Sequence, residues 1–515
     1  MRRRAFLGAL AAGTAGTTLP GFGAGASATT ADPPRIDPAF VVNAPGTEEI
    51  LPGADGRYVY GAAGDRLLVV DFDTLDEPSV VAEVEPTLDS DAMGGVGDLV
   101  RDGDRVAVVG PTGLADGDPP SGAAVFDVST PTSPEQVVEL QTDHSIHNAA
   151  FGDGVLYITA NLREHSPMVA YDLAGDEPTE VSTWSVVDAN DDWAAVPSTL
   201  HQTHDVTVRD GYAYVSNWDA GTWLVDVSDP ANPSAVSQVG GVDPEAYESL
   251  SRDEAFARLR TVPGNAHNIA LSDDGSLLAV GRESFGDGSG DDYSGPGGIE
   301  LYDIGDKSSP ERTSALRPPV VTNGDGEKSV STAHNCHFRG DRLYAAWYES
   351  GVRVYDASDP TAPETLGAWA SPRTTSFWTA VPLDEGFVAS SYYDPSAPES
   401  ARRDGENASI YAFPEPDASD AVAATTYEVN ATGVPEQVPL FDFSRVETTT
   451  TTTDTAANTT AATTTEATTE VTPADPPPTT TESTDESSGG STPGFGVGAA
   501  VAGTALAALH RLRDD

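Results

Sequence analysis

The chain runs to 515 residues, with 81 acidic against 27 basic side chains and a formal net charge of −54. Such a charge excludes a nucleic-acid-binding face, because phosphates would be repelled, and the single cysteine, Cys336, excludes an intramolecular disulfide. The acids are spread along the strand-rich region, and Lys307 and Lys328 are the only lysines. This is the surface of a protein kept soluble in molar salt, where ions screen the repulsion among carboxylates, so a halophile is the expected source.

Residues 1–28 read as an export signal. Arg2-Arg3-Arg4 precedes an Ala/Gly-rich apolar stretch, and a small-residue cleavage site stands at Ala26-Ser27-Ala28. That is the layout of a twin-arginine (Tat) signal, whose substrates cross the membrane folded.

From 39 to 443 the chain repeats itself. A short apolar strand ending in Asp recurs as Leu67-Leu68-Val69-Val70-Asp71, Ala124-Val125-Phe126-Asp127, Val169-Ala170-Tyr171-Asp172 and Trp223-Leu224-Val225-Asp226. Glu300-Leu301-Tyr302-Asp303, Arg353-Val354-Tyr355-Asp356 and a degenerate Ser409-Ile410-Tyr411-Ala412 complete seven copies. Six are followed by a turn containing Pro78, Pro134, Pro178, Pro230, Pro310 or Pro360. The Asp is expected to cap that turn through its side chain. A strand-built repeat of roughly 40–60 residues predicts an all-β fold, a seven-bladed β-propeller of four-stranded blades.

Blade four shows the register: strands from His204, from Tyr212 to Ser216, from Thr222 to Val227 and from Ser234 to Val239, with a turn at Asp210-Gly211. The blades are expected near 45–86, 94–142, 146–188, 203–240, 266–318, 333–370 and 376–416. Either Phe40-Val41-Val42 or the 422–443 segment could supply the strand that closes the ring. The repeat resembles the LVIVD repeat, named for a strand that Leu67-Leu68-Val69-Val70-Asp71 nearly spells. The resemblance covers most of 39–416 and implies a propeller on a secreted or surface protein, with no settled activity attached.

Four consecutive blades begin with the same type of dipeptide: His147-Asn148, His204-Asp205, His267-Asn268 and His334-Asn335. First strands line the channel of a propeller, so these histidines are expected to meet near one mouth. The other blades offer Glu49, Gly97-Asp98 and Phe377-Trp378 at that place. His144 and His201, each three residues earlier, suggest a second layer. Cys336 stands two residues after His334 and is expected on the same strand side, His337 on the other.

Converging neutral imidazoles suit Zn, Cu or Fe, with Asp98, Asp143 or Asp205 completing or orienting the ligand set and a cysteine favouring copper or zinc. The arrangement resembles, in geometry only, the His-lined propellers of metal-dependent oxygenases and selenium-binding-type proteins. The competing reading makes each His a fastener hydrogen-bonded to the neighbouring blade's backbone. A fastener should recur evenly, whereas these histidines are contiguous and absent from three blades. The Gly/Asp-rich loop 286–292 resembles part of a calcium loop but lacks the bidentate Glu and spacing of an EF-hand. No nucleophile-elbow, Walker or dinucleotide motif is present in the blades.

Residues 447–492 turn Thr/Ser/Glu/Asp/Pro-rich and read as an extended, O-glycosylated stalk. Asn407, Asn430 and Asn458 open glycosylation sequons. In 493–515, Pro493-Gly494-Phe495 opens an apolar run that ends at His510-Arg511-Leu512-Arg513. The run falls short of the ~20 residues that span a bilayer. It resembles the PGF-CTERM sorting signal of archaeal surface proteins, which implies cleavage near the triplet and a lipid anchor. Two functions remain open: a surface-anchored module that binds a cell-surface protein or glycan, and a metalloenzyme working at the histidine ring, an oxidase or hydrolase. Composition and motifs leave the oligomeric state undetermined.

Overall fold

The computed structural model describes residues 32–426, apart from 113–119, 162, 176, 248, 252–253, 256–257, 259–263, 286–295, 320, 323–328, 395–404 and 406. The expected signal, stalk and sorting tail, and the 286–292 loop, lie outside the described residues.

Alternating apolar residues and Asp-Pro punctuation produce what they predict: seven four-stranded antiparallel meanders. They span 47–84, 98–142, 146–184, 205–239, 266–316, 336–369 and 376–413. Each lies within a few residues of its expected limits. Blade seven supplies three strands of its own, and Phe40–Asn43 pairs with Ser409–Phe413 as its fourth. The ring is therefore closed by the N-terminal candidate. The rival segment adds a short fifth strand, Val422–Ala423, to the outer edge of blade six.

Every blade junction buries its own apolar cluster, from blades one and two round to blades seven and one. The remaining five junctions are packed in the same way. Burial of these interleaved Val, Leu, Ile and Ala side chains holds the ring together in the absence of any disulfide.

The six repeated aspartates act as expected. Asp71, Asp127, Asp172, Asp226, Asp303 and Asp356 each accept the main-chain N–H two residues on, at 2.8–2.9 Å. They fix the turn into the outer strand.

Pairing in blade four sets Asp205 opposite Ser216 and Thr222 opposite Ser216 and Val239. The start of each inner strand and the connection between second and third strands therefore share one rim. On that rim, the segment after blade three folds into Val186–Ala189, Asp191–Ala195 and Ser198–Leu200. These short helices bury Val186, Trp193 and Leu200 against Trp218 and Tyr247. The described parts of the connections flanking blade four thus pack against one another.

Candidate functional site at the channel mouth

At the start of three inner strands the ladder slips. The irregularities fall between Thr47 and Ile50, Ile146 and Ala149, and Ala266 and Ile269. Blade seven slips twice around Phe377. In a regular strand adjacent side chains point to opposite faces; a bulge re-aims them. Two neighbouring residues per blade can then face the channel. In blade three the N–H groups released by the slip are taken by Thr159 Oγ1 and Asn161 Oδ1, at 3.0–3.2 Å.

The result is a pocket with a lining residue from every blade: Glu49, Asp98, His147, His204, His267, His334 and Trp378. Asn148, Asp205, Asn268 and Asn335 join them, and the cavity they enclose is about 20 Å³, opening to solvent at the mouth. That is room for one water or a single ion.

The two positions of each dipeptide do different work. The second position fastens blades. Asp98 accepts the Ala149 N–H at 2.9 Å and Asn148 the Val206 N–H at 3.4 Å. Asp205 accepts the Ile269 N–H at 2.7 Å and Asn268 the Cys336 N–H at 2.9 Å. Asn335 donates to Glu49, reaching from blade six to blade one.

The first position builds an arc of rings. Centroids lie 4.3 Å apart for His147–His204, 3.8 Å for His204–His267 and 4.7 Å for His267–His334. Trp378 continues the arc 4.0 Å from His334. Trp218 lies 4.7 Å from His204, and Tyr348 4.9 Å from His334.

Burial pushes His147 down to about 4 and His334 to about 3. His204 and His267 fall well below the ordinary range for the same reason, reinforced by their neighbouring imidazoles. At neutral pH these are four uncharged rings with available lone pairs. Desolvation also raises Asp98 to about 8 and Asp205 to about 7, against the hydrogen bonds they accept.

His334 is the most informative ring. Its Nδ1 lies 2.6 Å from the Trp378 carbonyl, so that nitrogen carries the proton. Nε2 is then a lone pair, buried and without a hydrogen-bond partner. A ligating His holds its second nitrogen against a carbonyl in just this way. The Nδ1 of His267 is likewise buried without a partner. The fastener expectation is met by the Nδ1 contact of His334, while its other nitrogen is left over.

The remaining candidates lie elsewhere. Cys336 is fully buried in the core between blades five and six, its Sγ 3.2 Å from Asn268 Oδ1. His337 Nδ1 lies 3.2 Å from the Ala380 carbonyl. His144 is buried with Nδ1 3.3 Å from the Ser145 carbonyl, and Asp143 is exposed. His201 packs on Trp193 beneath the helical insert, ring centroids 5.6 Å apart. None of these five lines the pocket. Glu283, absent from the sequence expectations, does approach the arc, with Oε2 3.4 Å from His267 Nε2.

Fold and pocket together define a seven-bladed β-propeller with an imidazole-lined channel mouth. Residues 202–240, blade four, match the model of the LVIVD repeat. No curated protein matches the chain. Among solved structures, the β-propeller domain of Cps50 (Swd1) from Myceliophteria thermophila is similar, at 7% identity and TM-score 0.49. That match covers 73% of this chain and 99% of the other. A functionally unknown protein from Desulfotomaculum acetoxidans DSM 771 is similar at 12% identity and TM-score 0.41, covering 61% and 83%.

Proposed function

We propose that this protein is a metal-binding propeller: an exported, surface-anchored module that holds one transition-metal ion, Zn, Cu or Fe, at its channel mouth. The observation that carries the reading is His334, with Nδ1 engaged by the Trp378 carbonyl and a buried, unpartnered Nε2, in a ring that offers a ligand atom within 4.8 Å of those of His267 and Glu283. A purely structural histidine has no use for the second nitrogen, and a buried polar atom left without a partner is costly. Neutral, closely packed imidazoles are the ligand type that these metals select.

The twin-arginine segment, the Thr-rich stretch and the Pro-Gly-Phe tail support display outside the cell, tethered to the membrane by a lipid anchor. A propeller held on a stalk offers its rim to a cell-surface protein or glycan. Catalysis at the metal, as an oxidase or hydrolase, is the second reading, supported by the pocket beside the arc.

Elemental analysis tests the proposal, on protein prepared in molar salt without chelator or polyhistidine tag. About one metal ion per chain, lost on His334→Ala, is expected. A folded, metal-free wild type that also refuses added Zn²⁺, Cu²⁺ and Fe²⁺ would overturn it.

A further inference from the structure

The arc is uneven in one respect: a carboxylate approaches it at one end. Glu283 follows the second strand of blade five, Leu277–Arg282, on the rim that carries the histidines. It is 3% exposed, as buried as His267 at 2% and His334 at 1%. One ligand atom each from His267, Glu283 and His334 lie within 4.8 Å of one another. Binding a first-row ion at about 2.1 Å would draw them about 1 Å closer, within reach of small side-chain rotations.

The corresponding connections of blades four and six aim aromatic rings at the same place. Asn217–Gly221 and Trp347–Gly351 form the same tight turn, each closed by a hydrogen bond from its first N–H to its last carbonyl, at 2.8 and 2.9 Å. Trp218 and Tyr348 sit in the left-handed region, at φ 43° and 50°, a strained conformation for bulky residues. Gly221 and Gly351 are required behind them, because a Cβ would meet the Val239 and Trp369 carbonyls. The strain turns Tyr348 onto His334 and lets its hydroxyl donate to Glu283 Oε1. The other carboxylate oxygen, Oε2, is the one facing His267.

Resting on the metal-site reading above, we infer that Glu283 is the third, anionic ligand beside His267 and His334, and that Tyr348 is its positioning residue. Two imidazoles and one carboxylate on one side of the ion leave positions open toward His204 and His147. This donor set suits Fe²⁺, Co²⁺ or Zn²⁺ rather than Cu(I), which wants softer ligands. His147 and His204 then line the space in which water or a small substrate would meet the metal.

Co²⁺ is the probe, titrated into the full chain in molar salt and followed by calorimetry and by its visible absorption. Wild type should take one Co²⁺ per chain. Glu283→Gln should weaken binding by about 100-fold or more, and Tyr348→Phe by about 10–100-fold, both with altered absorption bands. Asp356→Ala, in a turn outside the pocket, should stay within a few-fold. Thermal unfolding of each metal-free variant checks that it folds, and Glu283→Asp should recover part of the affinity if Gln does not fold. If His267→Ala and His334→Ala abolish binding while Glu283→Gln keeps both affinity and spectrum, the carboxylate assignment is overturned and the metal site survives. If wild type takes no Co²⁺, or takes it regardless of His267 and His334, the metal-site reading fails and this assignment with it.

Discussion

Two adjacent positions open each inner strand, and their neighbourhoods have diverged. At the second position Glu49, Asp98, Asn148, Asp205, Asn268 and Asn335 run nearly round the ring, and four of them accept a main-chain N–H from the next blade. At the first position the residues change character: histidines in blades three to six, Gly97 in blade two and Trp378 in blade seven. A requirement of the fold is met in every blade it touches. A requirement of a site is met only where the site lies. Uniformity at the second position fits a fastener, and locality at the first fits the proposed ligand role, more sharply than repetition alone.

Breaking the two positions separately should give opposite phenotypes. The largest effect is expected for His267→Ala with His334→Ala: no metal retained after dialysis, measured by elemental analysis, with cooperative unfolding preserved in the metal-free form. Next comes Asp205→Ala, which strips the buried Ile269 N–H of its acceptor. It should cost about 2–4 kcal/mol in denaturant unfolding, through groups left unsatisfied, and leave the metal stoichiometry unchanged.

The pH dependence sharpens the same contrast. Folded Asp98 stays protonated up to about 8, whereas the unfolded chain ionises it near the ordinary Asp range. Between about pH 4 and 8 the folded state therefore binds the extra proton, and stability falls as pH rises, by up to ~1.4 kcal/mol per pH unit. The buried histidines act oppositely: between about 4 and 6.5 they are neutral when folded and charged when unfolded, so stability falls as pH falls. Asp98→Asn keeps an acceptor for Ala149 and copies what blades three and five already carry. Unfolding measured from pH 6.5 to 8 should be flatter for this variant than for wild type. The smallest effect is expected for Asp356→Ala, which removes one turn hydrogen bond to Ser358. About 0.5–1 kcal/mol of stability should be lost, with metal binding untouched.

How much of this was legible beforehand follows from what repeats. The Asp-terminated third strand and its Pro turn recur because each blade needs the same corner, so architecture and blade limits could be read directly. Ring closure could not, because Phe40–Asn43 and Val422–Ala423 are both short strands that end up on blade edges. The His-Asx dipeptides were visible as a ring. Their division of labour was not, since it comes from backbone slips that strict alternation does not foresee. The same break in alternation places Cys336 in the core instead of beside His334. Asp143, His144 and His201 lie in the connections ahead of the inner strands, and those connections turn away from the pocket. Glu283 carried no signal: the connection after Arg282 is longer than the five-residue turns Asn217–Gly221 and Trp347–Gly351, so Arg282-Glu283-Ser284 has no counterpart to compare.

The most direct test of the central claim is anomalous diffraction from crystals of the protein grown in molar salt with Co²⁺. One peak is expected about 2.0–2.2 Å from His334 Nε2 and coordinated by His267, with the second-position residues still bonded to the next blade. A fully ordered arc with no peak, while Co²⁺ sits on surface carboxylates, would contradict it.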